Sequence, residues 1–397
     1  MTRVCVVSAL YHPNLGGLGR QAMMLSERLR EEGVDLFVIS RKMRLPGKAA
    51  FSPNVEVIRV YAPFPGTQIL EEKSLKNLLI SVSFSIGCLA RLVSRRKTYE
   101  IVHFHGASIP LILSLPFLKI MGKKVVAKVA AANLGTEAGS LTGKYGPLGT
   151  VLTRMMKRVD AFVAISDEIR EGLIRDGVVP ERIHRISNFI DPKMFRPPAP
   201  GEKERLKEML GYAARTLVLF AGRLVERKGV VHLLESWREV SREFPDARLL
   251  ILGEGPLKET LQENAARLGI TTTARFAGRV DNVAEHLRAA DLFVLPSLQE
   301  GMANSLLEAM ASGVPVVATR IGGVTDVVEQ GRTAIVVSPG ETADLARGIR
   351  TLLAVPAHAR ELASRALETM RESFGLDSRV KRYMCLYACL DHEGSVG

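Results

Sequence analysis

Pro296-Ser297-Leu298-Gln299-Glu300-Gly301-Met302-Ala303-Asn304-Ser305-Leu306-Leu307-Glu308-Ala309-Met310-Ala311-Ser312-Gly313-Val314-Pro315-Val316-Val317 is the segment of this 397-residue chain whose reading decides the fold. It follows Leu292 to Leu295, an apolar β-type run that stops at Pro296. A loop carrying Glu300 and Gly301 then leads into a helical pattern that starts near Asn304, with Glu308 about one turn inside. Gly313 ends that pattern and Val314 to Thr319 opens the next apolar run. Two strands that are apolar throughout, joined by a helix, form the repeating unit of a parallel sheet covered on its faces. An ionised carboxylate is a pure hydrogen-bond acceptor, so Glu300 and Glu308 suit recognition of sugar or ribose hydroxyls. The plainer reading is that Glu300 caps or solvates the helix start.

The same alternation runs outward in both directions. Upstream lie Val4 to Ser8, Leu36 to Ser40, Val55 to Val60, Ile101 to Phe104, Val125 to Val129 and Ala161 to Ile165, separated by helical patterns. After Asn188 the texture changes to a proline-rich, charged connector, Asp191-Pro192 through Pro197-Pro198-Ala199-Pro200-Gly201. A second series follows, with Leu217 to Ala221, Arg248 to Leu252, Leu292 to Leu295, Val314 to Thr319 and Ile335 to Val337. The expected architecture is α/β, with two doubly wound Rossmann-like units in series. Their expected bounds are residues 1–195, completed by a helical stretch at 377–397 that packs back on the first unit, and 196–376.

Several loops at strand ends carry chemistry. In the first unit Pro13-Asn14-Leu15-Gly16-Gly17-Leu18-Gly19 runs from the first strand into a helix. Such a loop lets backbone approach a phosphate beside unpaired helix N–H groups, or is simply a tight turn. In the second unit Gly222-Arg223-Leu224-Val225-Glu226-Arg227-Lys228-Gly229 follows its first strand. Arg223 and Lys228 there could neutralise a diphosphate without metal, on the edge where parallel sheets bind ligands. Gly253-Glu254-Gly255-Pro256 and Gly278-Arg279 could line a base pocket, or could be plain turns.

Composition narrows the function. The chain is 47% hydrophobic and 24% charged, which excludes a disordered chain. Cys5, Cys88, Cys385 and Cys389 are not spaced as a zinc site and read as reduced thiols of a cytoplasmic protein. The start lacks the shape of a signal peptide. The charge-free apolar stretches Asn77 to Ala90 and Gly106 to Leu118 are too short for a spanning helix, so no membrane span is expected. Residues 1–200 hold 29 Lys/Arg against 16 Asp/Glu, and residues 201–397 hold 25 against 26. The whole excess of +12 therefore comes from the first half, which invites an anionic partner. A lone Trp237 and few aromatics argue against a nucleic-acid stacking platform, and nucleic acid is not an expected partner. Lys73, Lys76, Arg91, Arg95, Arg96 and Lys97 bracket Asn77 to Ala90, a pattern that fits either a buried helix with solvated ends or one at an anionic headgroup surface.

The order Gly16-Gly17, Gly222-Arg223, Lys228-Gly229, Gly253-Glu254-Gly255-Pro256, Glu300, Glu308 and Gly322-Gly323 resembles the retaining glycosyltransferases of family 4. The resemblance covers nearly the whole chain, and Leu292 to Thr319 is its most specific part. It implies a GT-B fold with two Rossmann-like domains facing a cleft, and a UDP-sugar or GDP-sugar donor. It also implies retention of anomeric configuration, without a cofactor or metal. Matched residue by residue, Arg223 and Lys228 would grip the diphosphate, Glu308 the ribose and Glu300 the sugar hydroxyls, so the catalytic set would be Arg223, Lys228 and Glu300. Gly16 and Gly17 would meet the donor from the other domain. Gly222, Glu254, Gly255, Arg279, Gly301, Met302, Ala303, Asn304 and Ser305 would complete the donor site.

Three departures from the family pattern stand out. After Val125 to Val129 the chain reads Ala130-Ala131-Ala132-Asn133 where members carry a histidine, leaving His105 and Asn133 as weak acceptor-side candidates. Asp326 stands where a glutamate is frequent, and Ala334 where a later glycine is. No Asp-x-Asp triplet occurs, in line with metal-free stabilisation of the leaving group. The expected acceptor is a lipid-linked or cell-envelope glycan, met on the inner face of the membrane. Rival readings are another GT-B sugar-nucleotide enzyme, an epimerase or a phosphorylase, and a basic binding protein without catalysis. The oligomeric state is open.

Overall fold

A computed structural model of the chain describes residues 3–11, 17–42, 54–63, 75–130, 154–212 and 215–392. The chain forms two compact units, Met1–Asn188 with Leu376–Gly397, and Phe189–Gly375. The division falls at the change of texture after Asn188, ahead of the expected bound at residue 195. Ile190 pairs with Gly375 and its N–H donates to the Phe374 carbonyl at 3.0 Å, while Phe189 and Phe195 are buried, so the connector belongs to the second unit.

The first unit holds a seven-stranded sheet of β1 (Arg3–Val7), β2 (Asp35–Arg41), β3 (Glu56–Val60), β4 (Ile101–His105), β5 (Lys124–Val129), β6 (Ala161–Ala164) and β7 (Ile183–Arg185). Their order is β3-β2-β1-β4-β5-β6-β7 and every pairing is parallel. Strand β4 is buried at all five positions, as a strand covered on both faces must be. The short β7 escaped sequence reading because it spans three residues and two of them, His184 and Arg185, are polar.

Helix Gly17–Glu31 connects β1 to β2, while helices Leu75–Ser94 and Ile109–Ile120 follow β3 and β4. Right-handed crossovers put the last two side by side on one face of the sheet, where they pack against each other. Helix Leu75–Ser94 is longer than the charge-free stretch Asn77 to Ala90 suggested. Its 20 residues are long and apolar enough to cross a bilayer by length and composition, because Lys76 and Arg91 lie within its end turns and do not terminate it. Helix Leu376–His392 packs on helix Gly17–Glu31 within this unit. Arg28 Nε donates to Asp377 Oδ1 at 2.8 Å, and Arg379 Nε to Ser187 Oγ at 2.8 Å.

The second unit holds β8 (Thr216–Ala221), β9 (Ala247–Leu252), β10 (Ala274–Gly278), β11 (Leu292–Leu295), β12 (Val316–Thr319) and β13 (Ile335–Val337). Their order, β10-β9-β8-β11-β12-β13, is the 3-2-1-4-5-6 arrangement of a Rossmann sheet. All its pairings are parallel. The core gathers Val218, Phe220, Leu249, Ile251 and Val294 of the sheet with Leu233, Leu234 and Trp237 of helix Val230–Glu243. Trp237 is fully buried, and its indole N–H donates to Thr273 Oγ1 at 3.2 Å, which meets the need of a buried polar edge.

In this sheet the strand order reverses between β8 and β11, which pair directly. A crevice beyond the carboxyl ends of two such strands is the ligand-binding position of open α/β sheets.

Candidate functional site

The loops leaving β8 and β11 are tied together at that position. The Arg227 carbonyl accepts from Leu298 N–H at 2.7 Å and from Gln299 N–H at 3.3 Å. Gly229, in the left-handed region at φ +61°, closes the 3-10 turn Glu226–Lys228 and opens helix Val230–Glu243. A Cβ on Gly229 would stand 2.0 Å from the Pro296 carbonyl oxygen, so only glycine lets the two loops meet. A Cβ on Gly323 would likewise fall 2.4 Å from the Gly301 carbonyl oxygen, which locks the loop after β12 under Glu300 and Gly301.

This stitching brings Lys228 and Glu300, 72 residues apart, into a buried ion pair. Lys228 is 9% exposed and Glu300 7%. Lys228 Nζ and Ser297 Oγ both donate to Glu300 Oε1, Ser297 at 2.8 Å, while Arg227 Nη1 lies 3.5 Å from Oε2. The two cations and one carboxylate leave a net positive charge, and a buried carboxylate held from three sides has few rotamers open to it. The Ser297 carbonyl accepts from Thr319 Oγ1 of β12, so the support extends one strand further.

Helix Asn304–Ala311 begins just after Glu300, with Ala303 extended before it. Its first N–H groups and positive dipole end point back toward the loop. Met302, Ala303 and Glu308 are buried, Glu308 at 6% exposure, and Gly301, Asn304 and Ser305 are half-buried. Gly222 and Arg223 are half-buried on the loop after β8, where Gly222 N–H donates to the Leu252 carbonyl at 3.0 Å. Gly255 lies on the loop after β9, where Leu224 N–H donates to the Glu254 carbonyl at 3.0 Å. The Glu254 carboxylate is taken by Lys258 at 2.8 Å one helical turn on, and Arg279 is exposed, so these two side chains stand apart from the buried centre. Ser297 and Arg227 are the residues that sequence reading left without a role. Ser297 lies three positions before Glu300, but nothing in the chain marks Arg227 as its neighbour until the sheet order is known.

In the first unit Gly17 is exposed at the start of its helix, while Gly16 and Asn133 lie outside the described residues. His105 ends β4, with both ring nitrogens buried and without a hydrogen-bond partner among the described residues. Burial holds its pKa well below the ordinary range, helped by His103 and Lys128, so it is a neutral imidazole. His103 Nδ1 meets the Tyr387 hydroxyl of helix Leu376–His392 at 2.7 Å, and its pKa falls to about 3, again mainly through burial. Burial also lowers Lys128 to about 7. Among the described residues no group of three or more His, Cys, Asp or Glu side chains is placed to hold a metal ion.

Residues 215–355 match the family model described as glycosyl transferases group 1, and residues 15–194 the model described as glycosyltransferase family 4. N-acetyl-alpha-D-glucosaminyl L-malate synthase of Bacillus anthracis is 26% identical over 385 residues, covering 95% of this chain and 94% of that protein. GDP-mannose-dependent alpha-(1-6)-phosphatidylinositol monomannoside mannosyltransferase of Mycolicibacterium smegmatis is 29% identical over 322 residues, covering 76% of this chain and 82% of that one. Among solved structures, Anabaena HepE in complex with UDP and glucose matches with a TM-score of 0.78 at 19% identity, over 98% of this chain and 100% of that one.

Proposed function

Since this chain belongs to the group 1, family 4 glycosyltransferases and has their GT-B fold, we propose that it is a retaining, metal-independent enzyme. It moves a hexose from a UDP-sugar or GDP-sugar to a lipid-linked or cell-envelope glycan. The observation that carries this reading is the buried centre of Lys228, Arg227, Ser297 and Glu300 at the reversal point of the second sheet.

Breaking a sugar–phosphate bond leaves positive charge on the sugar and builds negative charge on the diphosphate. In this reading Lys228 and Arg223 on the β8 loop, with the N–H groups opening helix Asn304–Ala311, hold that anion as it forms, a preorganised electrostatic stabilisation. When a diphosphate draws on Lys228, the Glu300 carboxylate is released to accept sugar hydroxyls while Ser297 keeps it oriented. Glu308, buried inside the helix, serves the ribose. Donor use follows the UDP and glucose bound by HepE and the GDP-mannose dependence of the mycobacterial relative. The lipid-linked acceptor follows the phosphatidylinositol monomannoside of that relative and the basic first half of this chain, and puts the enzyme on the cytoplasmic leaflet.

Incubation with UDP- and GDP-sugars and a membrane lipid extract, with and without a chelator, tests this. The expected result is an α-linked product from an α-linked donor, by proton NMR, at an undiminished rate in chelator. Sugar-nucleotide turnover without acceptor would make it an epimerase, and turnover that requires phosphate would make it a phosphorylase.

A further inference from the structure

A helix on the face of a sheet normally turns its second side, the polar one, to water. Helix Leu75–Ser94 does not. Ile80, Phe84, Cys88 and Leu92 are buried on its inner side. Its outer side carries Leu75, Leu79, Ile86 and Val93, all exposed and spaced at four, seven and seven residues, with Ile86 at 63%. The neighbouring helix Ile109–Ile120 repeats the pattern with Leu113, Phe117 and Ile120, exposed at 41%, 49% and 84%. Two helices packed side by side on one sheet face thus both present apolar outer stripes, which isolated surface leucines elsewhere in a protein do not do.

The charge along these two helices is mostly basic, although Glu71 and Glu72 precede the first helix, and Arg95 and Lys119 are paired with Glu56 and Asp160. From residue 75 to residue 124 the chain holds eight Lys/Arg and a single acid, Glu100. Lys76 and Arg91 are exposed at the ends of the first helix, and Arg96 and Lys97 just beyond it. Glu100 is already paired with Arg3 at 2.6 Å.

We infer that the outer face of helices Leu75–Ser94 and Ile109–Ile120 docks on an anionic lipid bilayer, both helices lying in the headgroup boundary with their apolar stripes inserted and the flanking cations on lipid phosphates. The inner side of Leu75–Ser94 is held by the sheet, so the helix lies in the interface and does not cross it. A second copy of the chain is the poorer occupant. A two-fold contact through this face would bring the same basic rim against itself, whereas an anionic leaflet complements it.

This inference deepens the lipid-linked acceptor reading and rests on it for its biological sense, but its test contains neither donor nor acceptor. The full chain is sedimented with vesicles of phosphatidylcholine alone and of phosphatidylcholine with phosphatidylglycerol, at low and high salt. The wild type is expected to pellet with the anionic vesicles only, and less in high salt. The double variant Ile86→Glu with Phe117→Glu, both exposed and so neutral for folding, is expected to lose at least about tenfold in partitioning at an unchanged melting temperature. Arg96→Glu with Lys97→Glu is expected to lose about as much on anionic vesicles. The inference is overturned if the wild type stays in the supernatant at low salt or if the Ile86 and Phe117 variant pellets like the wild type. It is also overturned if the wild type is a dimer by light scattering that the same variant separates into monomers. A soluble acceptor found in the transfer assay, with vesicle binding intact, would remove the acceptor reading and leave the docking face standing.

Discussion

Lys228 has two duties, and they can be separated by measurement. It is the cation proposed to hold the forming diphosphate, so its loss is expected to lower kcat by about 100-fold to 1000-fold, the usual value of one such donor. As the partner of buried Glu300 its loss also leaves a carboxylate held, among the described residues, by Ser297 and Arg227, at a cost of about 1–3 kcal/mol in folding. Lys228→Ala by urea unfolding, alone and in a Glu300→Gln background, tests this. The stability cost should shrink in the second background, and additive costs would deny the coupling. Glu308→Gln is expected to weaken free-nucleotide binding while Glu300→Gln mainly slows transfer; equal losses of nucleotide affinity would contradict that division. The sequence shows Lys228, Glu300 and Glu308 because the first two lie on loops that leave strands, the third in the helix that follows, each in a recognisable neighbourhood. It hides Ser297 and Arg227, whose contact with Glu300 depends on which strands are adjacent.

At the level of elements, the decisive contact is between the β8 and β11 loops. Gly229→Ala is expected to push Pro296 and the Glu300 loop away, since the added carbon would overlap the Pro296 carbonyl, and its positive φ adds strain. Donor affinity and kcat should fall together by at least about tenfold, with a measurable loss of stability. Normal kinetics in Gly229→Ala would show that the loops need not touch. Long apolar runs such as Leu217 to Ala221 and Leu292 to Leu295 were legible as strands because parallel strands are covered on both faces. Helix Leu75–Ser94 outruns the charge-free stretch Asn77 to Ala90 because a helix carries Lys76 and Arg91 within its terminal turns without ending.

For the molecule as a whole, the first unit carries a built-in sensitivity to acid. His103 and His105 are buried neutral among Lys128, Tyr383 and Tyr387, with His103 protonating only near about 3. In the unfolded chain both take up a proton near 6.5, so below that pH the unfolded state binds more protons and stability falls as pH falls. The slope is about 1.4 kcal/mol per pH unit for each histidine. Unfolding in urea from about pH 7 to about pH 5 should show this loss, with a flatter slope in His105→Gln; a stability independent of pH over that range would refute it. Two sheets in series were readable from periodicity, whereas the return of helix Leu376–His392 to the first unit becomes definite only through contacts such as Arg28 with Asp377. The central claim, that the second unit holds a nucleotide-sugar donor at Lys228, is tested most directly by titrating UDP and GDP against unfolding of the wild type and of Lys228→Ala. One nucleotide should stabilise the wild type by roughly 2.7 kcal/mol at about 100 times its Kd, and the variant far less. No stabilisation by either nucleotide, or equal stabilisation of both proteins, would contradict it.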